Sequence, residues 1–325
     1  MNINNIEYKV YDNKPEFNNF ISTINIGFTL DKNYILETML TSSSIMETQR
    51  KGTKIIFHFG VTQYFSVHNM LELYSLKEKI NNSTEFNFYY LRDSNKKMKN
   101  FHPKGEACPG KFELPSLLSN EVERLIIFDA GDLLVLRDLT DLYNYDMGDY
   151  WALGNPEPVI IESFMKLKYN ITKYINIGAI LVNVKKLKEV NFWETYTNSR
   201  YIELIGAPDQ TLFNILIPDN KKNYLPFKFG GFSIIENDHN FDVLKFEKFG
   251  FNKWLKSNLS LSLPEKPKTE KEILINLYNP IFIHQFSGKW ELGNGLSIYR
   301  ILAKYFINLS GIKERICRKK PGYCK

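Results

Sequence analysis

In LIIFDAGDLLVLRDLTDLY, residues 125–143, an apolar run stops at two acids, Asp129 and Asp132, separated by Ala130 and Gly131. A short continuous apolar run with polar residues after it fits a strand buried on both faces, as in a parallel sheet. Ligands of open α/β sheets bind beyond the carboxyl ends of the strands. Two carboxylates at such an end either hold a divalent cation or close a turn, because Asp is also a common turn former.

The segments before this stretch carry the alternation that a parallel sheet requires. INIGFTL (24–30), TKIIFHFGV (53–61) and EFNFYYL (85–91) read as strands. Between them, residues 33–48 place Ile35, Met39, Leu40 and Met46 at helical spacing. Residues 66–80 offer Ser66 as an N-cap and set Val67, Met70, Leu71 and Tyr74 on one face. A short helix is expected at 113–120, just before the strand that ends at Asp129. This β-α-β-α-β order predicts a mostly parallel sheet with helices on both faces.

After residue 143 the pattern loosens. Residues 149–154, 174–184, 223–231 and 280–286 read as strands, and 191–204 and 208–217 as helices, the second opened by Pro208. Residues 257–272 are polar and rich in Pro and Lys, so a loop or insert is expected there. One domain with an elaborated C-terminal half accounts for the order.

The chain has 325 residues, a net charge of +6 and three cysteines, Cys108, Cys317 and Cys324. No dense Lys/Arg stripe precedes the last dozen residues, which argues against nucleic acid as a partner. Three cysteines are too few for a disulfide scaffold; Cys317 and Cys324 either close a small C-terminal loop or stand as two free thiols on a basic tail. No apolar run is long enough for a membrane span, and the first residues lack a signal-peptide profile. The Asn-x-Ser/Thr sequons are about as many as this Asn-rich composition supplies, so the compartment, whether secretory lumen or cytoplasm, stays open.

Carboxylates gathered at strand ends, with no Gly-rich phosphate loop, suggest that a divalent cation handles any phosphate. Asp31, Asp129 and Asp132 all fall at such ends. Oxygen ligands suit Mg²⁺ or Mn²⁺, and an added His tilts the choice toward Mn²⁺. His284, at the end of another apolar run and followed by Gly288 and Lys289, is the candidate.

Five stretches, in order, resemble glycosyltransferase family 8, the retaining nucleotide-sugar transferases. They are INIGFTLDKNYILETMLTSS, the Asp129–Asp132 stretch, YINIGAILVNVKKLKEVNFW, PDQTLFN and HQFSGKW, together spanning roughly residues 22–292. The resemblance implies a GT-A-type nucleotide-binding sandwich with a mixed, mostly parallel central sheet. It also implies an N-terminal extension over 1–21 and a C-terminal helix and basic tail over 293–325. The expected activity is transfer of a hexose from a UDP-sugar to the hydroxyl of a glycan, lipid or protein acceptor, with retention and with Mn²⁺ or Mg²⁺.

Residue by residue, the resemblance assigns Asp31 and Asn33 to the uridine and Phe28 and Thr29 to the base pocket. Asp129, Asp132 and His284 become metal ligands, with Ala130 and Gly131 inside the motif. Asn176 lies by the sugar or diphosphate, Glu157 by the sugar, and Gly288 and Lys289 clamp the diphosphate. Asp209 and Gln210 flank the anomeric centre, and Lys111 is the nearest match to the family's basic residue upstream of the motif. Two departures stand out. Asp-Ala-Gly-Asp is one residue longer than Asp-x-Asp, and Gly131 is the residue type that lets a backbone unit bulge. HQFSGKW is shorter than the family's closing motif and lacks its Pro. These departures motivate the alternative of a non-catalytic nucleotide-sugar-binding member. A nucleotidyltransferase on a similar fold would want a Gly-rich loop, which FTLDKNY lacks.

Overall fold

The structure, a computed structural model, describes residues 22–50, 52–80, 84–92, 107–131, 133–156, 159–199, 208–226, 229–232, 282–284 and 306–319. The strands are β1 (Thr23–Leu30), β2 (Lys54–Val61), β3 (Glu85–Tyr90), β4 (Arg124–Phe128), β5 (Leu133–Val135), β6 (Ala152–Pro156), β7 (Ile175–Asn183), β8 (Lys222–Tyr224), β9 (Gly230–Phe232) and β10 (Phe282–His284). The helices are α1 (Ile35–Thr48), α2 (Val67–Lys79), α3 (Ala107–Leu117), α4 (Thr140–Tyr143), α5 (Val159–Tyr169), α6 (Val184–Glu189), α7 (Phe192–Thr197), α8 (Pro208–Leu216) and α9 (Lys313–Lys319).

The main sheet has seven strands in the order β3-β2-β1-β4-β7-β6-β8. Its first four strands run parallel, as the alternation of strand and helix requires. β7 then lies antiparallel to both β4 and β6. A small second sheet, β5-β10-β9, lies beyond the end of β4. The architecture is the expected mixed, mostly parallel α/β sandwich.

Side chains alternate across β4: Ile126 and Phe128 enter one core, Leu125 and Ile127 the other. The first core lies under α1 and α2 and stacks Phe28 on Phe59 at 5.8 Å. Phe306, Ile307, Ile312 and Ile316 of the C-terminal region join it. The second core lies under α3, α6, α7 and α8, with Phe112 stacked on Phe213 at 4.7 Å.

Several elements differ from expectation. The helix at 113–120 starts earlier, at Ala107, and carries Pro115 within it. The strand at 223–231 is two short strands, β8 and β9. The face of α2 containing Val67 and Leu71 points outward, 67% and 61% exposed, while Leu73 and Leu76 are buried. The apolar residues of this helix spread over a wide arc rather than one narrow stripe, so spacing alone does not orient it. The expected insert at 257–272 and the extension at 1–21 lie outside the described residues. Cys317 is disulfide-bonded, and Cys324 lies outside the described residues. No described helix is long and apolar enough to cross a membrane.

Candidate active site

The carboxyl ends of β4 and β6 and the amino end of β7 meet at one edge of the sheet, because β7 runs against both neighbours. Asp129 leaves β4 there, its N–H bonded to Gly178 O at 2.8 Å. Gly178 N in turn donates to Asn176 Oδ1 at 2.7 Å. The α8 N-terminus arrives from the other side and brings Asp209 and Gln210. Gln210 Oε1 accepts from Ile177 N at 3.2 Å, so the amide is pinned to β7. Asn214 fastens the same helix: its Oδ1 accepts from Ile175 N, and its Nδ2 donates to Ile175 O and Gln210 O. At the far end, Lys222 donates to Asn214 O and Ile217 O, closing the C-terminus of α8.

Lys111 links the two acids. Its ammonium lies 2.6 Å from Asp129 Oδ1 and 3.7 Å from Asp209 Oδ2, with its side chain 3% exposed. Burial alone would push Lys111 down, but attraction from Asp129 and Asp209 outweighs it and holds Lys111 above the usual lysine range. Sequence matching offered Lys111 only as the nearest basic residue; the fold supplies the contact.

Gly131 has φ +80°, and a Cβ there would stand 2.5 Å from Glu37 Cβ. Gly131 thus sits in the left-handed region that favours glycine. Its N–H is held by Thr41 Oγ1 at 3.1 Å. Ala130 is half-buried beside it. Asp132 itself lies outside the described residues. The backbone of His284 is described, and β10 pairs antiparallel with β5 so that His284 stands opposite Leu133. The third expected metal ligand is thus in register with the residue that follows Asp132. Among the described residues no group of three or more His, Cys, Asp or Glu side chains is set to hold a metal.

Asp31 ends β1 and caps a short 3-10 turn, accepting from Asn33 N at 2.7 Å. Thr29 is half-buried, whereas Phe28 is fully buried in the aromatic core, so any contact it makes with a base runs through its backbone. Glu157, Gly288 and Lys289 lie outside the described residues.

Two further groups belong to this edge and were not singled out from sequence. Asn155 is paired with Asn176 across a β6–β7 bulge, 4% exposed, and its Nδ2 has no hydrogen-bond partner among the described residues. Its only sequence signal was its place two residues before Glu157. Thr41 lay hidden in a run of Thr and Ser within an otherwise apolar helix.

Residues 25–241 match the family model described as glycosyl transferase family 8, more than half of the chain. No curated protein matches it. Among solved structures, the galactosyltransferase LgtC in complex with donor and acceptor sugar analogs is similar at TM-score 0.64 and 16% identity, over 89% of this chain and 95% of that chain. The bifunctional glycosyltransferase WbbM is similar at TM-score 0.67 and 16% identity, over 94% of this chain and 53% of that chain. Apo GlyE from Streptococcus pneumoniae TIGR4 gives TM-score 0.57 and 15% identity, over 92% of this chain and 64% of that chain. The shared sheet is that of the GT-A glycosyltransferases.

Proposed function

The chain belongs to glycosyl transferase family 8, and from that premise we propose that it moves a hexose from a UDP-sugar to an acceptor hydroxyl with retention at the anomeric carbon. In this proposal Asp129, Asp132 and His284 hold Mn²⁺ or Mg²⁺. The observation that carries it is the meeting of Asp129, Lys111 and Asp209 at the edge where β4, β7 and α8 converge. The donor types fit the cation: two carboxylates and an imidazole suit Mn²⁺. The register of His284 opposite Leu133 supports the same assignment.

When bound, the cation would neutralise charge that builds on the departing diphosphate. The chain's own residues do the rest. Asp31 and Asn33 hold the uridine, and Gly288 and Lys289 screen the phosphates. Asn176, Glu157 and the buried amide of Asn155 hold the sugar, with Asn155 Nδ2 donating to a sugar hydroxyl. Lys111 bridges the Asp129 and Asp209 carboxylates beside the donor. Gln210 and Asp209 stabilise oxocarbenium character on the sugar while the acceptor attacks from the leaving-group face. A double displacement would need a carboxylate nucleophile set as in retaining glycosidases.

Thermal stability with UDP tests the metal clamp. Saturating UDP with Mn²⁺ should add about 2–4 kcal/mol at roughly 100–1,000 times Kd. EDTA should remove that gain; stabilisation that survives EDTA would count against the clamp.

A further inference from the structure

Hydroxyl side chains inside helices usually bond back to the preceding turn. In α1, Thr38 does so to Tyr34 O at 2.7 Å, Ser43 to Met39 O at 2.6 Å and Thr48 to Ser44 O at 2.8 Å. Thr41 does not. Its Oγ1 donates to Leu133 O at 2.9 Å and accepts from Gly131 N at 3.1 Å. Those two residues stand immediately before and after Asp132. Further along, Ser44 Oγ accepts from Val135 N at 3.0 Å, and Gln49 Oε1, from the C-cap just past the helix, accepts from Leu139 N at 2.9 Å. One face of α1 thus reads the backbone of the chain from the motif to residue 139 through side chains.

The rung at Thr41 differs from the others because it straddles the motif. Thr41 is fully buried, and so is the polar run that follows it, Ser42 to Ser44. Gly131, at φ +80°, lies where an added Cβ would stand 2.5 Å from Glu37 Cβ, one turn earlier in the same helix. Two residues of α1 thus constrain this position: Glu37 leaves no room for a side chain at Gly131, and the Thr41 hydroxyl holds its N–H. A valine would match the shape of Thr41 but would leave Gly131 N–H and Leu133 O without that partner. Ligands to a metal must be held to a fraction of an ångström, and outer hydrogen bonds supply that restraint.

We propose that Thr41 is a positioning residue for the cation site: its hydroxyl latches both flanks of Asp132 and so lets a motif one residue longer than Asp-x-Asp present its carboxylates to one cation. The proposal rests on Asp129 and Asp132 being cation ligands. Hydroxyl chemistry, not bulk, is the operative property.

The test pairs Thr41→Val with Thr41→Ser and reads two quantities in the full chain. The first is the Mn²⁺ concentration that gives half of the UDP-induced thermal stabilisation. Thr41→Val should raise it by about 10–100-fold, the usual cost of losing an outer hydrogen bond at a metal site. Thr41→Ser should stay close to wild type. The second is hydrogen exchange of the Gly131 amide without ligand, which should quicken in Thr41→Val and not in Thr41→Ser. Thr41→Ala carries the same expectation if Thr41→Val does not fold. Ser44→Ala, one rung beyond the motif, should leave the Mn²⁺ requirement unchanged. The latch is overturned if Thr41→Val keeps the wild-type Mn²⁺ requirement, or if Thr41→Ser is as damaged as Thr41→Val. Wild-type protein without any Mn²⁺-dependent UDP stabilisation would instead sink the proposed function, and that failure is visible before any variant is made.

Discussion

Replacing Gly131 by Ala adds one methyl group at the point where the lengthened motif turns. Two costs follow from the geometry. At φ +80° an L-residue is strained by about 1–2 kcal/mol. The new Cβ would also lie 2.5 Å from Glu37 Cβ and 3.4 Å from Glu37 Cα, so helix α1 or the loop must shift. Overpacking of this kind costs about 1–3 kcal/mol. The sum is about 2–5 kcal/mol before the small gain from a stiffer unfolded chain. Gly52 separates the two parts. It has φ +87° and nothing within 4 Å of a built Cβ, so Gly52→Ala carries the conformational cost alone. Urea denaturation of both variants gives the packing part as the difference in midpoint times m, provided m is unchanged. Gly131→Ala should be the less stable by about 1–3 kcal/mol. Equal losses in the two variants would refute the claim that α1 crowds the motif.

Burial holds His58 neutral and lowers its pKa to about 4, against Glu85, which raises it. The unfolded chain then binds more protons between that value and the ordinary histidine range, so stability falls as pH drops through the window; His58→Gln should remove about 2 kcal/mol of the loss between pH 7 and pH 5 in denaturation curves. Lys111→Met leaves Asp129 and Asp209 facing each other without their ammonium; because the Asp129 side chain is 36% exposed, the expected destabilisation is about 2 kcal/mol, below that of a fully buried pair, and a neutral result in urea would deny the link. Gln210→Ala should lower kcat and leave UDP affinity, read by calorimetry, nearly unchanged; parallel losses would mean a collapsed site.

Legibility from the sequence followed the periodicity of each element. β1, β2 and β4 carry apolar runs and β3 an alternation of polar and aromatic residues, and all four lie where expected. The reversal of β7 was not legible, because a strand buried on both faces has the same apolar run in either direction. α2 was misoriented because Val67, Leu71, Leu73 and Leu76 offer two apolar faces, and only packing selects between them. The special backbone at Gly131 was legible from residue type, since glycine between two acids after a strand has few other uses. The Lys111 link was not, because it joins α3 to β4 and α8 across the sheet edge, and no spacing along the chain encodes it. Thr41 was hidden for a different reason: a threonine in a helix is ordinarily satisfied by its own turn, and only the neighbouring loop shows that this one is not.

Release of UDP from a panel of UDP-hexoses, followed with Mn²⁺ and with EDTA, bears on the whole account at once. It predicts release from at least one UDP-hexose with Mn²⁺, none in EDTA, and almost none from Asp132→Asn, which exchanges a charged ligand for a neutral one beside the diphosphate. Release that continues unchanged in EDTA and in Asp132→Asn, or no release from any UDP-hexose by protein that binds UDP with Mn²⁺, would contradict it.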